Sequence, residues 1–232
     1  MSSYIKENLT SVRAELSAAE AAAGREGKTT LVAAVKYASD CEIKELISLG
    51  VTDVGENRVQ QLLAHMSAYE GEAVRIHFIG TLQKNKIKYI IDKVHAIHSV
   101  DSTQLAREID RHAGKHGIAV RVFVEVNIGR EMAKSGVMPE EAEALCREIM
   151  GLPNLTLVGL MTMAPRCESD AEYRGYFSDA RTLAHGIWQS LGRTDQPLLS
   201  MGMSESFAAA VAEGADMVRV GRRLFIQENN EI

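Results

Sequence analysis

Eight short apolar runs, each followed by a longer stretch of helical periodicity, constrain this chain more than any other feature. The runs fall at 31–35, 51–54, 75–79, 96–100, 119–126, 156–162, 197–201 and 217–220. Most are continuously apolar rather than alternating, as in a parallel sheet covered on both faces. Helical patterns lie between them, near 40–49, 57–69, 84–93, 102–115, 139–151, 169–191 and 204–213, and another near 3–23 precedes the first strand. Eight strand-then-helix units are the count of a (β/α)8 barrel, and 232 residues suffice to build one. The fold expected is therefore α/β, a single (β/α)8 TIM barrel with an extra N-terminal helix. It forms one domain over 1–232, with the barrel at about 30–226. A doubly wound open sheet is the alternative, and it would more often have fewer strands.

Composition removes several classes. A net charge of −5 argues against an electrostatic nucleic-acid binder, which would carry a clustered basic surface. No apolar run reaches the ~18 residues a membrane helix needs, and the N-terminal segment lacks the apolar core of a signal peptide. Cys41, Cys146 and Cys167 are scattered without CxxC spacing, which reads as reduced thiols in a cytoplasm.

In such barrels chemistry collects where strands end. Strand 1 runs straight into Lys36, and strand 2 ends in Gly55, Glu56 and Asn57. Strand 3 carries His77 to Gly80, with Gln83 and Asn85 beyond; strand 5 ends at Asn127 and strand 6 in Met161 to Pro165. Strand 7 runs into Ser200–Ser204, and strand 8 into Arg219–Gly221. After strand 7 a glycine permits a tight turn, and Ser204 or Ser206 can cap the helix that follows. A helix start after strands 7 and 8 favours a phosphate, although a capped helix needs no ligand. A lysine facing such a pocket suits a Schiff base with a phosphorylated aldehyde. The plain alternatives are a solvated Lys36 or a pair with Glu56. Arg219, between two valines, points opposite to them and must have a partner. That partner is either the ring nitrogen of a pyridine or a carboxylate such as Glu125. Arginine does not give up its proton, so such a nitrogen would stay unprotonated.

Long ordered blocks carry a resemblance. LVAAVKY, GVTDVGENRVQQLL, IHFIGTLQKNKIKYI, HSVDS, FVEVNIGREMAKSGV, VGLMTMAP and LSMGMSESFAAAVAEGADMVRVG span nearly the whole chain. Together they resemble the YggS/PROSC family of pyridoxal 5′-phosphate (PLP) homeostasis proteins, which is similar in fold to the barrel domain of alanine racemase. The resemblance implies that Lys36 carries PLP as an internal aldimine. It implies that Ser200, Gly202, Ser204, Gly221 and Arg222 surround the phosphate, Arg222 through its backbone N–H. Arg219 would meet the pyridine nitrogen, and Asn57, His77 and Met163 would line the ring pocket. The implied role is intracellular PLP homeostasis: storage, protection or delivery of the cofactor, with effects on amino-acid and keto-acid balance. Free amino acids and apo PLP-enzymes are the partners that follow. Arg222 stands where the family often has a small hydroxyl residue, and Ile226 where it has glycine; with the acidic tail QENNEI, this bears on the last helix.

No robust turnover is expected, beyond a weak racemase-like side activity. A PLP racemase needs an acid/base on each face of the cofactor. The barrel uses nearly all the chain, leaving no second domain to bring another base, and a monomer is expected. Tyr37 adjoins Lys36, but strand alternation aims it behind the barrel. The rival readings are a small PLP-dependent racemase or lyase, and a barrel whose Lys36 binds a sugar phosphate. His112 and His116 stand four apart on a helix without a third metal ligand. Lys84 and Lys86 read as a solvated lysine-rich face, or near the mouth as an attraction for the anionic cofactor; Lys134, in Ala133–Gly136 after strand 5, reads as part of a surface loop or of a mouth loop that reaches the pocket.

Overall fold

A computed structural model describes residues 3–227. Eight parallel strands close in chain order: β1 (Thr30–Ala34), β2 (Asp53–Glu56), β3 (Arg75–Phe78), β4 (Ala96–Val100), β5 (Val120–Val126), β6 (Leu155–Thr162), β7 (Leu198–Met203) and β8 (Met217–Val220). β1 pairs back to β8, with Ala33 opposite Val220, so the sheet has no free edge and the open doubly wound alternative falls. Parallel strands cannot be joined by tight turns, so each needs a crossover that packs on the sheet. The crossovers are α2 (Asp40–Ser48), α3 (Val59–Ala64) with α4 (Met66–Tyr69), a 3-10 turn at Lys84–Tyr89, α5 (Thr103–His116), α6 (Pro139–Met150), α7 (Asp170–Ser190) and α8 (Phe207–Ala212). α1 (Tyr4–Ala22) precedes β1, and α9 (Arg222–Phe225) follows β8.

The main core lies between sheet and helices, and a smaller one fills the barrel around Ala96, Phe123 and Met161. Ala33 and Val35 pack in the outer layer, so alternation turns Val32 and Ala34 inward. The expected N-terminal helix is present, with Ser3 as its cap. It buries Ile5, Leu9, Val12 and Leu16 at helical spacing and packs against α8 and α9. Each such side chain contributes about 1.5–3 kcal/mol on burial. Asn8 donates to the carbonyls of Leu224 (3.2 Å) and Ile226 (2.8 Å), tying down the chain after β8. The short α9 thus forms despite Ile226, while tail residues 228–232 lie outside the described residues.

Several expected elements differ. The helix expected at 57–69 breaks at His65, whose ring turns to pair with Glu56 at 2.7 Å. At 84–93 only the 3-10 turn forms, because Gln83 gives its start no side-chain cap; Ile87, Ile90 and Ile91 are still buried. α8 begins three residues late, at Phe207, and its N-cap Ser206 makes no capping bond. The Ser206 hydroxyl instead accepts from the Met203 N–H, closing the turn after β7. Among the described residues no helix is long and apolar enough to cross a membrane.

Candidate functional site

The C-terminal strand ends enclose a cavity of about 480 Å³. Lys36, Asn57 and Met163 line it together, from the ends of β1, β2 and β6. β1 stops at Ala34, and Lys36 and Tyr37 occupy a turn. Gln61 fixes that turn by donating to the Lys36 carbonyl at 2.7 Å. Because the strand has ended, alternation no longer governs Tyr37. Expected behind the barrel, it is 77% exposed on the cavity wall, its ring centroid 4.7 Å from the Lys36 Nζ. Glu56 is no partner for Lys36. It is buried on the opposite face, where the Tyr69 hydroxyl donates to it at 2.6 Å and His65 pairs with it.

Two further groups meet at this cavity. Asn57 Oδ1 is buried without a hydrogen-bond partner. Glu125 lines the wall from β5, and the Ser135 hydroxyl donates to it at 2.6 Å. Burial pushes the Glu125 carboxyl up, and the Ser135 bond opposes that only in part. Sequence reasoning weighed Glu125 only as an ion-pair partner of Arg219 and missed Ser135. The available signal is an acidic residue among the apolar residues at the end of a strand.

His77 does not line the cavity. It is fully buried deeper in the barrel, with Nε2 2.8 Å from Asp53 Oδ1 and Nδ1 2.9 Å from His98 Nε2. Ser200 is also placed differently from expectation. Its hydroxyl lies 2.9 Å from His98 Nδ1 and accepts from Arg219 Nη1 at 2.8 Å, so it is engaged inside the barrel rather than free for a phosphate. Both side chains come from residues inside their strands rather than from the loops that follow them.

Gly202 and Ser204 lie at the end of β7, and Gly221 and Arg222 follow β8; none of the four lines the cavity itself. Gly202 has φ +89°, and a Cβ there would stand 2.5 Å from the Ala210 Cβ, so the end of β7 needs glycine. A Cβ on Gly221 would lie 2.8 Å from the Ala34 carbonyl oxygen, so the backbone after β8 passes tightly beside the end of β1, two residues before Lys36. Ser204 is buried. The Arg222 side chain turns outward to Glu205 at 2.8 Å. Arg219 is buried and donates to the carbonyls of Ser200 (2.7 Å) and Thr162 (2.9 Å), with no ion pair to Glu125. Burial pulls its pKa down to about 10, which leaves it charged at neutral pH.

The weaker sequence signals stay apart from the cavity. His112 and His116 lie on the outer face of α5, and no metal-holding group of three ligands occurs among the described residues. Lys86 stands over the Tyr89 ring, and Lys134 pairs with Glu131 at 3.0 Å on the surface. The three cysteines are free.

A family model described as the alanine racemase N-terminal domain matches residues 8–228. The pyridoxal phosphate homeostasis protein of Aquifex aeolicus is 40% identical over 220 residues, covering 94% of this chain and 96% of its own. PipY of Synechococcus elongatus, solved with PLP bound, is 32% identical with a TM-score of 0.84, over 96% of this chain and 100% of that one. An unknown protein from Bifidobacterium adolescentis is 35% identical with a TM-score of 0.89, over 96% and 94% of the two chains.

Proposed function

The chain belongs to the alanine racemase N-terminal domain family, and from that premise we propose that it binds PLP and acts in PLP homeostasis. The observation that carries this reading is Lys36, a half-buried primary amine on the wall of a cavity shared with Asn57 and Met163. Its relative PipY binds PLP on the same fold.

The residues fit the cofactor. Asn57 Oδ1 is a buried acceptor lacking a donor, which a polar substituent of the ring would supply. Gly202 and Gly221 allow the backbone to approach closely at the phosphate end, and the first N–H groups of α9, Arg222 included, have no intrahelical partner. Ser204 offers a hydroxyl at the same end. When bound, PLP supplies an aldehyde for covalent attachment and an electron-withdrawing ring. Lys36 is the residue that would hold it through its amine, and Met163 would pack against the ring. Arg219 keeps its proton, so it would donate to the ring nitrogen and leave that atom unprotonated. A ring so held withdraws electrons weakly, which suits retention of the cofactor better than turnover.

Proton transfer on both faces of a bound amino acid needs two bases on opposite sides. Lys36 and Tyr37 are adjacent in one turn and stand on one wall, so they do not form such a pair. We therefore read the site as a carrier that stores or delivers PLP. The test is the visible spectrum of the purified protein before and after borohydride, followed by peptide mapping. A band that vanishes on reduction, with a phosphopyridoxyl adduct on Lys36, is the expected result. A protein that takes up no PLP overturns the reading. Delivery is tested separately: reactivation of an apo-enzyme by loaded protein must outpace free release of PLP.

A further inference from the structure

A buried hydrogen-bond chain crosses the barrel interior from the bottom of β2 and β3 to the top of β8. Arg219 Nη1 donates to Ser200 Oγ at 2.8 Å. Ser200 Oγ lies 2.9 Å from His98 Nδ1, His98 Nε2 lies 2.9 Å from His77 Nδ1, and His77 Nε2 lies 2.8 Å from Asp53 Oδ1. Every member of the chain is at least 95% buried. Asp53 is anchored at the far end by Arg75, which donates from Nε (2.8 Å) and Nη2 (2.7 Å).

The protons in this chain can be assigned from its two ends. Asp53 is a carboxylate and can only accept. Burial pushes its pKa up, but hydrogen bonds from His77, Arg75 and Thr52 outweigh that and keep it ionised. His77 therefore carries its proton on Nε2. Burial holds His98 neutral, with the nearby Arg219 cation acting in the same direction. One arrangement then gives every proton an acceptor. His98 Nε2–H donates to His77 Nδ1, the Ser200 hydroxyl donates to His98 Nδ1, and Ser200 Oγ accepts from Arg219. All the donors point one way, from Arg219 toward Asp53, and hydrogen bonds aligned in this way polarise one another.

We propose that His98, His77 and Asp53 are positioning residues for the cofactor, acting through Ser200 to fix the Arg219 guanidinium toward the ring nitrogen. This rests on the PLP reading and goes beyond it, because none of the three touches the cavity. The relay makes Ser200 Oγ a strong, correctly oriented acceptor. The Thr162 and Ser200 carbonyls hold the same guanidinium from two other directions. Three of the five guanidinium N–H groups are thereby engaged, which leaves the Nε–H and one Nη2–H to donate.

The first test needs no cofactor. Nitrogen NMR of the uniformly labelled protein at neutral pH should show both His77 and His98 protonated on Nε2 and bare on Nδ1. A His98 protonated on Nδ1, or doubly protonated, overturns the relay whether or not PLP binds. The second test uses the PLP-loaded protein. Ser200→Ala, which cuts the chain at a single atom, and His98→Leu should each shift the visible band in the direction given by Arg219→Gln. They should also release PLP roughly tenfold faster, as expected for a weakened charge-assisted bond. The Ser200→Ala/Arg219→Gln double variant should shift no further than Arg219→Gln. His95→Gln, which alters a ring packed against His77 but outside the chain, should leave the band in place. An unmoved band in Ser200→Ala beside a shifted one in Arg219→Gln overturns the proposal. A wild-type protein with no band at all fails the PLP reading, and the nitrogen assignments still decide the relay.

Discussion

Asp53 is a carboxylate almost wholly removed from water, and its charge survives because Arg75, His77 and Thr52 all donate to it. The sign of its effect on stability follows. The unfolded chain takes up a proton at the ordinary value of 3.8, before the folded protein does. The stabilisation is therefore complete above that value and is lost as pH falls below it. Each unit of depression is worth about 1.4 kcal/mol. Denaturant midpoints measured from pH 7 down to 3 should fall more steeply for wild type than for Asp53→Asn. Parallel slopes would show that Asp53 titrates normally in the folded state. The place of Lys36 at the end of β1 was legible in the sequence, because the apolar run stops just before it. That Glu125 and Ser135 share its cavity was not: their meeting depends on a loop of ten residues folding back, which no local pattern records.

Elements register what local spacing can and cannot fix. Strands β3, β4 and β8 fall within a residue of their apolar runs, because a buried parallel strand writes its own hydrophobic pattern. Helix starts were less legible, because caps are settled by tertiary partners. Ser206 bonds back into the β7 turn instead of capping α8, and His65 leaves its helix for Glu56. The end of β7, where the chain turns toward α8, depends on Gly202, whose left-handed backbone and contact with Ala210 leave no room for a side chain. Gly202→Ala should cost about 1–3 kcal/mol and lower the melting temperature. Gly186→Ala, inside α7 with open space around it, should leave stability unchanged or raise it by about 0.5–1 kcal/mol. Equal melting temperatures for Gly202→Ala and wild type would show that the turn relaxes.

The whole molecule is a ring of eight strands joined by the β1–β8 pairing, and that closure brings the cavity wall together. Lys36 follows the first strand and Gly221 the last, so the site exists only when the ring is shut. Ligand binding should then stabilise the entire barrel. At about a hundred times the dissociation constant, PLP should add about 2.7 kcal/mol, seen as a higher melting temperature. Lys36→Ala should melt at one temperature with or without PLP; a full shift in that variant would place the main binding energy elsewhere. The sequence by itself determined the eight buried strand runs, the parallel sheet with its crossovers and the amine at its first strand end. Those follow from hydrophobic periodicity and residue chemistry, which are local. Only the tertiary structure decided that His77 and Ser200 lie beneath the cavity rather than in its wall, that Tyr37 lies at its mouth, and that a polar chain runs from Asp53 to Arg219. Depth within a barrel is set by strand register and tilt, and those are fixed by pairing between strands far apart in the chain.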